Sequence, residues 1–298
     1  MTLEATISPD LEALLSFLPR NLRALLEGFG ESLLEVKFRF GRPVGVLIRG
    51  RPTYELLEYT LTSDDLLNLN SLVTNVRDDG RRGIAGTGHR ISVVYTTDGT
   101  VEGYTFRVGR FLEGIADPLK TLLEIHPGML VVGGPGMGKT TLQRCIAVLL
   151  AQTYPYQTVI VDTSGELSGS GARPHSGIGL ADRLSVARKS EQHRVLQMAV
   201  RNHNARVVVI DEINTLEESL VIAEGAREGV RFVATAHGRS LESVLRRTSL
   251  EPLFDREDPV FHWVLVMHEQ GKYRVYAFLE ALAALEAGKA PKPVLEVL

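Results

Sequence analysis

Residues 133–141 read Gly-Gly-Pro-Gly-Met-Gly-Lys-Thr-Thr, and their types and spacing suit a triphosphate. Glycines let the backbone curl until successive N–H groups face phosphate oxygens. Lys139 is long enough to reach the β- and γ-phosphates, and the Thr140 hydroxyl can sit on Mg²⁺. Gly133, Gly134, Pro135, Gly136, Met137, Gly138, Lys139, Thr140 and Thr141 are thus the candidate phosphate cradle. Hydrolysis also needs a metal ligand and a group to activate water. Arg206-Val-Val-Val-Ile-Asp211-Glu212 offers both: four apolar residues read as a buried strand ending in two acids. Asp211 is placed to hold the Mg²⁺ shell, and Glu212 to accept a proton from the attacking water.

Ligands in open α/β sheets sit at the carboxyl ends of strands, so two further strand ends should face the same crevice. One is Asp162-Thr-Ser-Gly-Glu166, the other Thr235-Ala-His237-Gly238. Thr235 and His237 are candidates for sensing the γ-phosphate. Asp162 and Glu166 fit either nucleotide contacts or capping of their own loop. Charge that develops during phosphoryl transfer calls for arginines. Arg90, Arg107 and Arg110 precede the loop, and Arg239, Arg246 and Arg247 follow the last strand end.

Two kinds of patterning must position these groups. Leucines at helical spacing from Ser8 to Gly28 predict two short helices divided at Pro19. Strands are predicted at 34–40 and 44–49, a helix start at Ser63-Asp64-Asp65, and a hairpin of 91–95 with 103–108 through Thr97-Asp98-Gly99. Residues 77–90 read as turn-rich and cationic. From Gly128 onward, apolar runs at 130–132, 158–161, 207–210 and 232–235 alternate with helices, the mark of a mostly parallel sheet covered on both faces. Residues 163–182 read as a Gly- and Ser-rich loop, and strands at 261–267 and 274–278 close the sheet. The predicted fold is α/β: a RecA-like P-loop NTPase core at 113–298, preceded by a smaller α+β domain at 1–112.

A net charge of −3, from 33 basic and 36 acidic residues, provides no global basic field, so nucleic acid would need a local patch or a channel. The single cysteine, Cys145, excludes an intrachain disulfide framework and fits a reducing compartment; its place on a helix suggests packing. Glu4 and Asp10 interrupt the apolar residues that a leader would need, and no run approaches a membrane span. A cytoplasmic protein is expected, or one peripheral to a membrane complex.

From Arg107 to about Leu253 the chain resembles the ATPase family of stage III sporulation protein AA, with its chloroplast and cyanobacterial members. The resemblance rests on Arg107-Val-Gly-Arg110, the loop 133–141, and Val159-Ile-Val-Asp-Thr-Ser-Gly-Glu166. It continues through Pro174-His175, Ile178-Gly179, Val207-Val-Val-Ile-Asp-Glu-Ile213 and Ala234-Thr-Ala-His-Gly-Arg-Ser-Leu-Glu242 with Leu245-Arg246-Arg247. Glu35-Val-Lys-Phe-Arg39, Gly41-Arg42-Pro43 and Gly88-His89-Arg90 match more loosely. That family is similar to the secretion and pilus ATPases. The resemblance implies ATP as nucleotide, a homohexamer, and a stroke that changes the angle between two domains on a membrane-associated export or pilus-like assembly. It implies that Glu166 matches an acidic box, Glu212 the catalytic glutamate and His237 a histidine box. Arg90 and Arg107 then serve as arginines lent across the subunit interface. Asp211 departs from the Gly-Glu of many pilus motors. The sequence also ends at Leu298 without the single-stranded nucleic-acid-binding domain of several plastid-type members. A nucleic-acid-dependent ATPase threading single-stranded DNA or RNA is the alternative, carried by the cationic segment 77–90 and the loop 163–182. The missing aromatic residues between those cations count against it.

Overall fold

The computed structural model describes residues 7–298; Glu4 lies outside the described residues. They form two compact units. One runs to Arg110 and also takes in Gly169–His175; the other comprises Phe111–Ser168 and Ser176–Leu298.

The first unit opens with α1 (Pro9–Leu15) and α2 (Arg20–Glu27). Pro19 stands immediately before α2, where its fixed φ suits a helix start and bars continuation of the preceding turn. Strands β1 (Leu33–Arg39), β2 (Pro43–Ile48) and β3 (Glu55–Thr60) precede α3 (Ser63–Leu72). Thr62 caps α3 through a reciprocal pair with Asp65. Strands β4 (Arg81–Gly83), β5 (Arg90–Tyr95) and β6 (Val101–Arg107) complete a sheet of order β3-β2-β1-β6-β5-β4. Its neighbours are all antiparallel. The hairpin predicted through Asp98 joins β5 to β6, with Thr100 N–H donating to the Asp98 carboxylate at 3.3 Å. The sheet buries Val36, Phe38, Ile91, Tyr104 and Phe106 with Leu11, Leu14, Leu22 and Leu26 of α1 and α2.

Two features of this unit lie outside the sequence expectation. β3 is a strand of alternating burial at the sheet's edge, and β4 lies inside the segment read as turns. The distant segment Gly169–His175 adds to the same unit. Ser170 forms a parallel bridge with Ala85, and its backbone exchanges bonds with Gly86 at 2.7 Å and Thr87 at 3.0 Å. His175 Nε2 lies 2.9 Å from Asp10 Oδ2. Part of the predicted 163–182 loop is therefore ordered by the first unit's backbone.

The second unit runs α4 (Lys120–Ile125), β7 (Met129–Gly133), α5 (Lys139–Thr153), β8 (Thr158–Asp162), β9 (Asp182–Ser185), α6 (Gln192–Asn202), β10 (Val207–Glu212) and α7 (Leu216–Arg227). It continues through β11 (Arg231–His237), α8 (Leu241–Leu245), β12 (Trp263–Glu269), β13 (Lys272–Ala277), α9 (Phe278–Glu286) and β14 (Leu295–Val297). The sheet order is β14-β13-β12-β7-β11-β10-β8-β9. From β12 to β9 all neighbours are parallel, while β13 and β14 add antiparallel pairs at one edge. Alternate residues of each central strand enter different cores. Leu130 and Val132 pack with α6, α7 and α9, whereas Met129 and Val131 pack with α4 and α5. Burial on both faces is why these strands read as unbroken apolar runs. Phe278, read as a strand end, instead begins α9, and its ring fills the first of these cores.

Candidate active site

β7 is buried throughout and ends at Gly133, where the chain turns through the glycine loop into α5. Gly136 and Gly138 have φ of 75° and 91°. A side chain there would cost about 1–2 kcal/mol in the left-handed region. Nothing lies within 4 Å of a Cβ at either position, so backbone conformation and not crowding demands glycine. Lys139, only 9% exposed, donates from Nζ to the carbonyls of Gly133 and Gly134, both at 2.8 Å. Burial pulls its ammonium pKa down; the carboxylates of Glu212 and Asp211 oppose that shift.

In space β11 stands between β7 and β10, so the loop strand and the acidic strand are not neighbours. Register pairs His237 with Gly133 and Thr235 with Glu212. His237 Nδ1 then lies 3.4 Å from Lys139 Nζ, and His237 Nε2 lies 3.5 Å from Glu212 Oε2. One imidazole thus spans the distance between the loop's ammonium and the second acid. The Thr235 hydroxyl donates to the Asp211 carbonyl. Asp211's carboxyl is pushed up to about 7, first by burial and then by the carboxylates of Glu166 and Asp162. Lys189 opposes the rise and Glu212 adds to it.

The loop after β8 closes on its own first residue. Asp162, 3% exposed, accepts from the backbone N–H groups of Ser164, Gly165 and Ser168 and from the Ser168 hydroxyl. Both its oxygens serve the loop, the capping role that the sequence left open. Ser164 Oγ lies 3.3 Å from Asp211 Oδ2, which links this loop to the acidic strand. Glu166 is half-buried on the loop, and its backbone carbonyl accepts from the Arg144 guanidinium.

Four residues here carried no signal in the sequence. Arg144 of α5 donates Nε to Leu167 O at 3.0 Å and stacks 3.9 Å over the Phe111 ring. Gln143 reaches across the sheet to the carbonyls of Ile210 and Val233, tying β10 to β11. Lys189 and Gln192 both reach the Glu212 carbonyl at 3.0 Å. Arg90 and Arg107 lie in the first unit, opposite one another on β5 and β6. Arg107 pairs with the buried Glu35 at 2.9 Å.

The residues present suit a magnesium nucleotide. A curled backbone and an ammonium group stand near Glu212 and Asp211, and burial, followed by the Glu166 and Asp162 carboxylates, raises the Asp211 carboxyl. Among the described residues no three His, Cys, Asp or Glu side chains converge as a metal cage. Cys145 is buried, with Sγ 2.9 Å from the Leu112 carbonyl. No helix among the described residues is long and apolar enough to cross a membrane.

The solved pilus retraction motor PilT with bound ADP superposes with a TM-score of 0.62 over 87% of both chains, at 17% identity. The chain therefore shares its fold, a RecA-like α/β core with a smaller amino-terminal unit, with that motor. An uncharacterized protein, ycf45, of Porphyra purpurea is 40% identical over 249 residues, covering 83% of this chain and 44% of its own length. The chain thus spans less than half of that relative. Stage III sporulation protein AA of Bacillus subtilis (strain 168) is 31% identical over 267 residues, 80% of this chain and 85% of that protein. The sequence pattern of sporulation stage III protein AA matches residues 105–278, more than half of the chain, and the chain belongs to that family.

Proposed function

We propose that this chain is a Mg²⁺-dependent ATPase working as a homohexameric ring, in which hydrolysis moves its two units to drive an export or pilus-like assembly. The observation that carries the reading is the row Lys139–His237–Glu212, set at the ends of β7, β11 and β10. It aligns a phosphate-binding ammonium, a polar sensor and a proton acceptor across adjacent strand ends, where ligands of open α/β sheets bind.

The backbone N–H groups of Gly134 and of 136–139 cradle the phosphates, and Lys139 turns from the loop carbonyls to phosphate oxygens. Thr140 and Asp211 hold the metal. When bound, magnesium and nucleotide supply an electrophilic phosphorus and a screened leaving diphosphate. Glu212 takes the proton from water, with its carboxylate oriented by His237. Glu166 completes the acidic wall. Arg90 and Arg107 of a neighbouring copy meet the charge developed on the transferred group, and Arg107 leaves Glu35 to do so. The name of PilT, a retraction motor solved with ADP, supports a mechanical use of the nucleotide.

Glu212→Gln tests the base. It should retain labelled ATP in the presence of Mg²⁺ while turnover falls about 10²–10⁴-fold. Normal turnover in that variant rejects Glu212 as the proton acceptor. Adding single-stranded DNA, RNA or membrane fractions to the same assay separates an export motor from a nucleic-acid translocase.

A further inference from the structure

Gln192 opens α6 with its side chain fully buried, 0% exposed, in a place where an apolar residue would pack without any polar demand. Its amide is bonded on both sides. Oε1 accepts from the Thr163 hydroxyl at 2.5 Å and from Lys189 Nζ at 2.8 Å. Nε2 donates to the Glu212 carbonyl at 3.0 Å, and Lys189 Nζ donates to the same carbonyl at 3.0 Å. One glutamine therefore joins the residue after Asp162, at the end of β8, to the backbone of Glu212, at the end of β10.

The sheet does not fix that backbone alone. The β10–β11 ladder runs in register from Val207 to Ile210 and then slips between Ile210 and Glu212. Beyond the slip, the N–H of the same peptide, that of Ile213, donates to the Thr235 carbonyl at 3.1 Å, while the Glu212 carbonyl end is held by the side chains of Gln192 and Lys189. The tilt of a peptide plane sets the direction of the adjoining Cα–Cβ bond, so whatever fixes this carbonyl also aims the carboxylate.

We infer that Gln192, assisted by Lys189, is a positioning residue that aims Glu212, through a latch linking the acidic loop to the acidic strand. The inference rests on the reading of Glu212 as the proton acceptor. Gln192 is fully buried and acts through the Glu212 backbone. Because Thr163 heads the loop that carries Ser164 and Glu166, a shift of that loop reaches Glu212 through a single amide.

Gln192→Met keeps length and packing but removes all three bonds. Gln192→Glu keeps the acceptor side, loses the donor to Glu212 and sets a carboxylate oxygen against that carbonyl. In the full chain, both should lower kcat about 10- to 100-fold, the scale of an ångström-sized misplacement. KM and labelled-ATP affinity should stay within about threefold, because the phosphate loop is untouched. Lys189→Met, at an exposed position with no folding risk, should lower kcat about threefold with the same unchanged KM. A melting curve like that of the wild type with kcat within about twofold in Gln192→Met overturns the role, as does a raised KM at constant kcat. Wild-type chain without turnover removes the base and this role together, a result read before any Gln192 variant is made.

Discussion

At the scale of single residues, Lys139 and Arg144 illustrate two uses of a buried cation five positions apart on α5. Lys139 donates to two loop carbonyls, and on the proposed function it would exchange them for phosphate oxygens, so Lys139→Ala should weaken labelled-ATP binding about 10- to 100-fold, one or two charge-assisted bonds' worth. Filter binding in Mg²⁺ checks it. Arg144 makes no such exchange. Arg144→Met leaves the carbonyls of Glu166 and Leu167 short of a donor, which costs about 1–3 kcal/mol of stability. A lowered thermal midpoint is the measurement. The first residue was legible in the sequence because its neighbours are glycines at fixed offsets. Arg144, Gln143 and Gln192 were not, because, Lys189 beside Gln192 apart, their hydrogen-bond partners lie 20 or more positions away and nothing in local spacing marks a long polar side chain as buried. Asp162 was legible as an acid at a strand end, but its use in closing its own loop depends on Ser168, six positions on.

At the scale of elements, what the sequence made readable was burial on both faces. β7, β8 and the first four residues of β10 stood out as apolar runs because each meets a core on both faces, and α1 and α2 as leucine stripes because each meets one. The short strands β4, β9 and β14 did not stand out. They carry three or four residues each, with charged side chains, at or near sheet edges where half the surface meets water. α7 shows how packing overrides local preference. Alanine at Gly225 would favour the helix by about 1 kcal/mol. Yet a Cβ there would meet Phe232 Cζ and Val200 Cγ2 at 2.9 Å, and overpacking of that kind costs about 1–3 kcal/mol. Gly225→Ala should therefore destabilise the chain on balance, as a denaturant titration would show by a lower midpoint.

At the scale of the whole molecule, two imidazoles make stability depend on pH. His126, stacked 4.7 Å from the His262 ring, is pushed down to about 4 by burial, then by Arg231 and His262. In the first unit, burial also lowers His89, whose ring accepts from Gly109 N–H and meets the Asp10 carbonyl. Both groups bind protons more weakly folded than unfolded. Their contribution is complete above the ordinary imidazole value of about 6.5 and is lost as pH falls below it, for His126 as pH falls toward 4. Thermal midpoints should fall over that window, and His126→Phe should flatten the decline. The excursion of Gly169–His175 bears on how the protein can be divided in the laboratory. A gene cut at the Arg110–Phe111 boundary would yield an amino-terminal piece whose Ala85 lacks its bridging strand and whose Asp10 lacks its imidazole partner. The complementary piece would carry seven residues with nothing to fold against. Neither half should behave as an autonomous module, and mixing the two should restore order that each lacks alone.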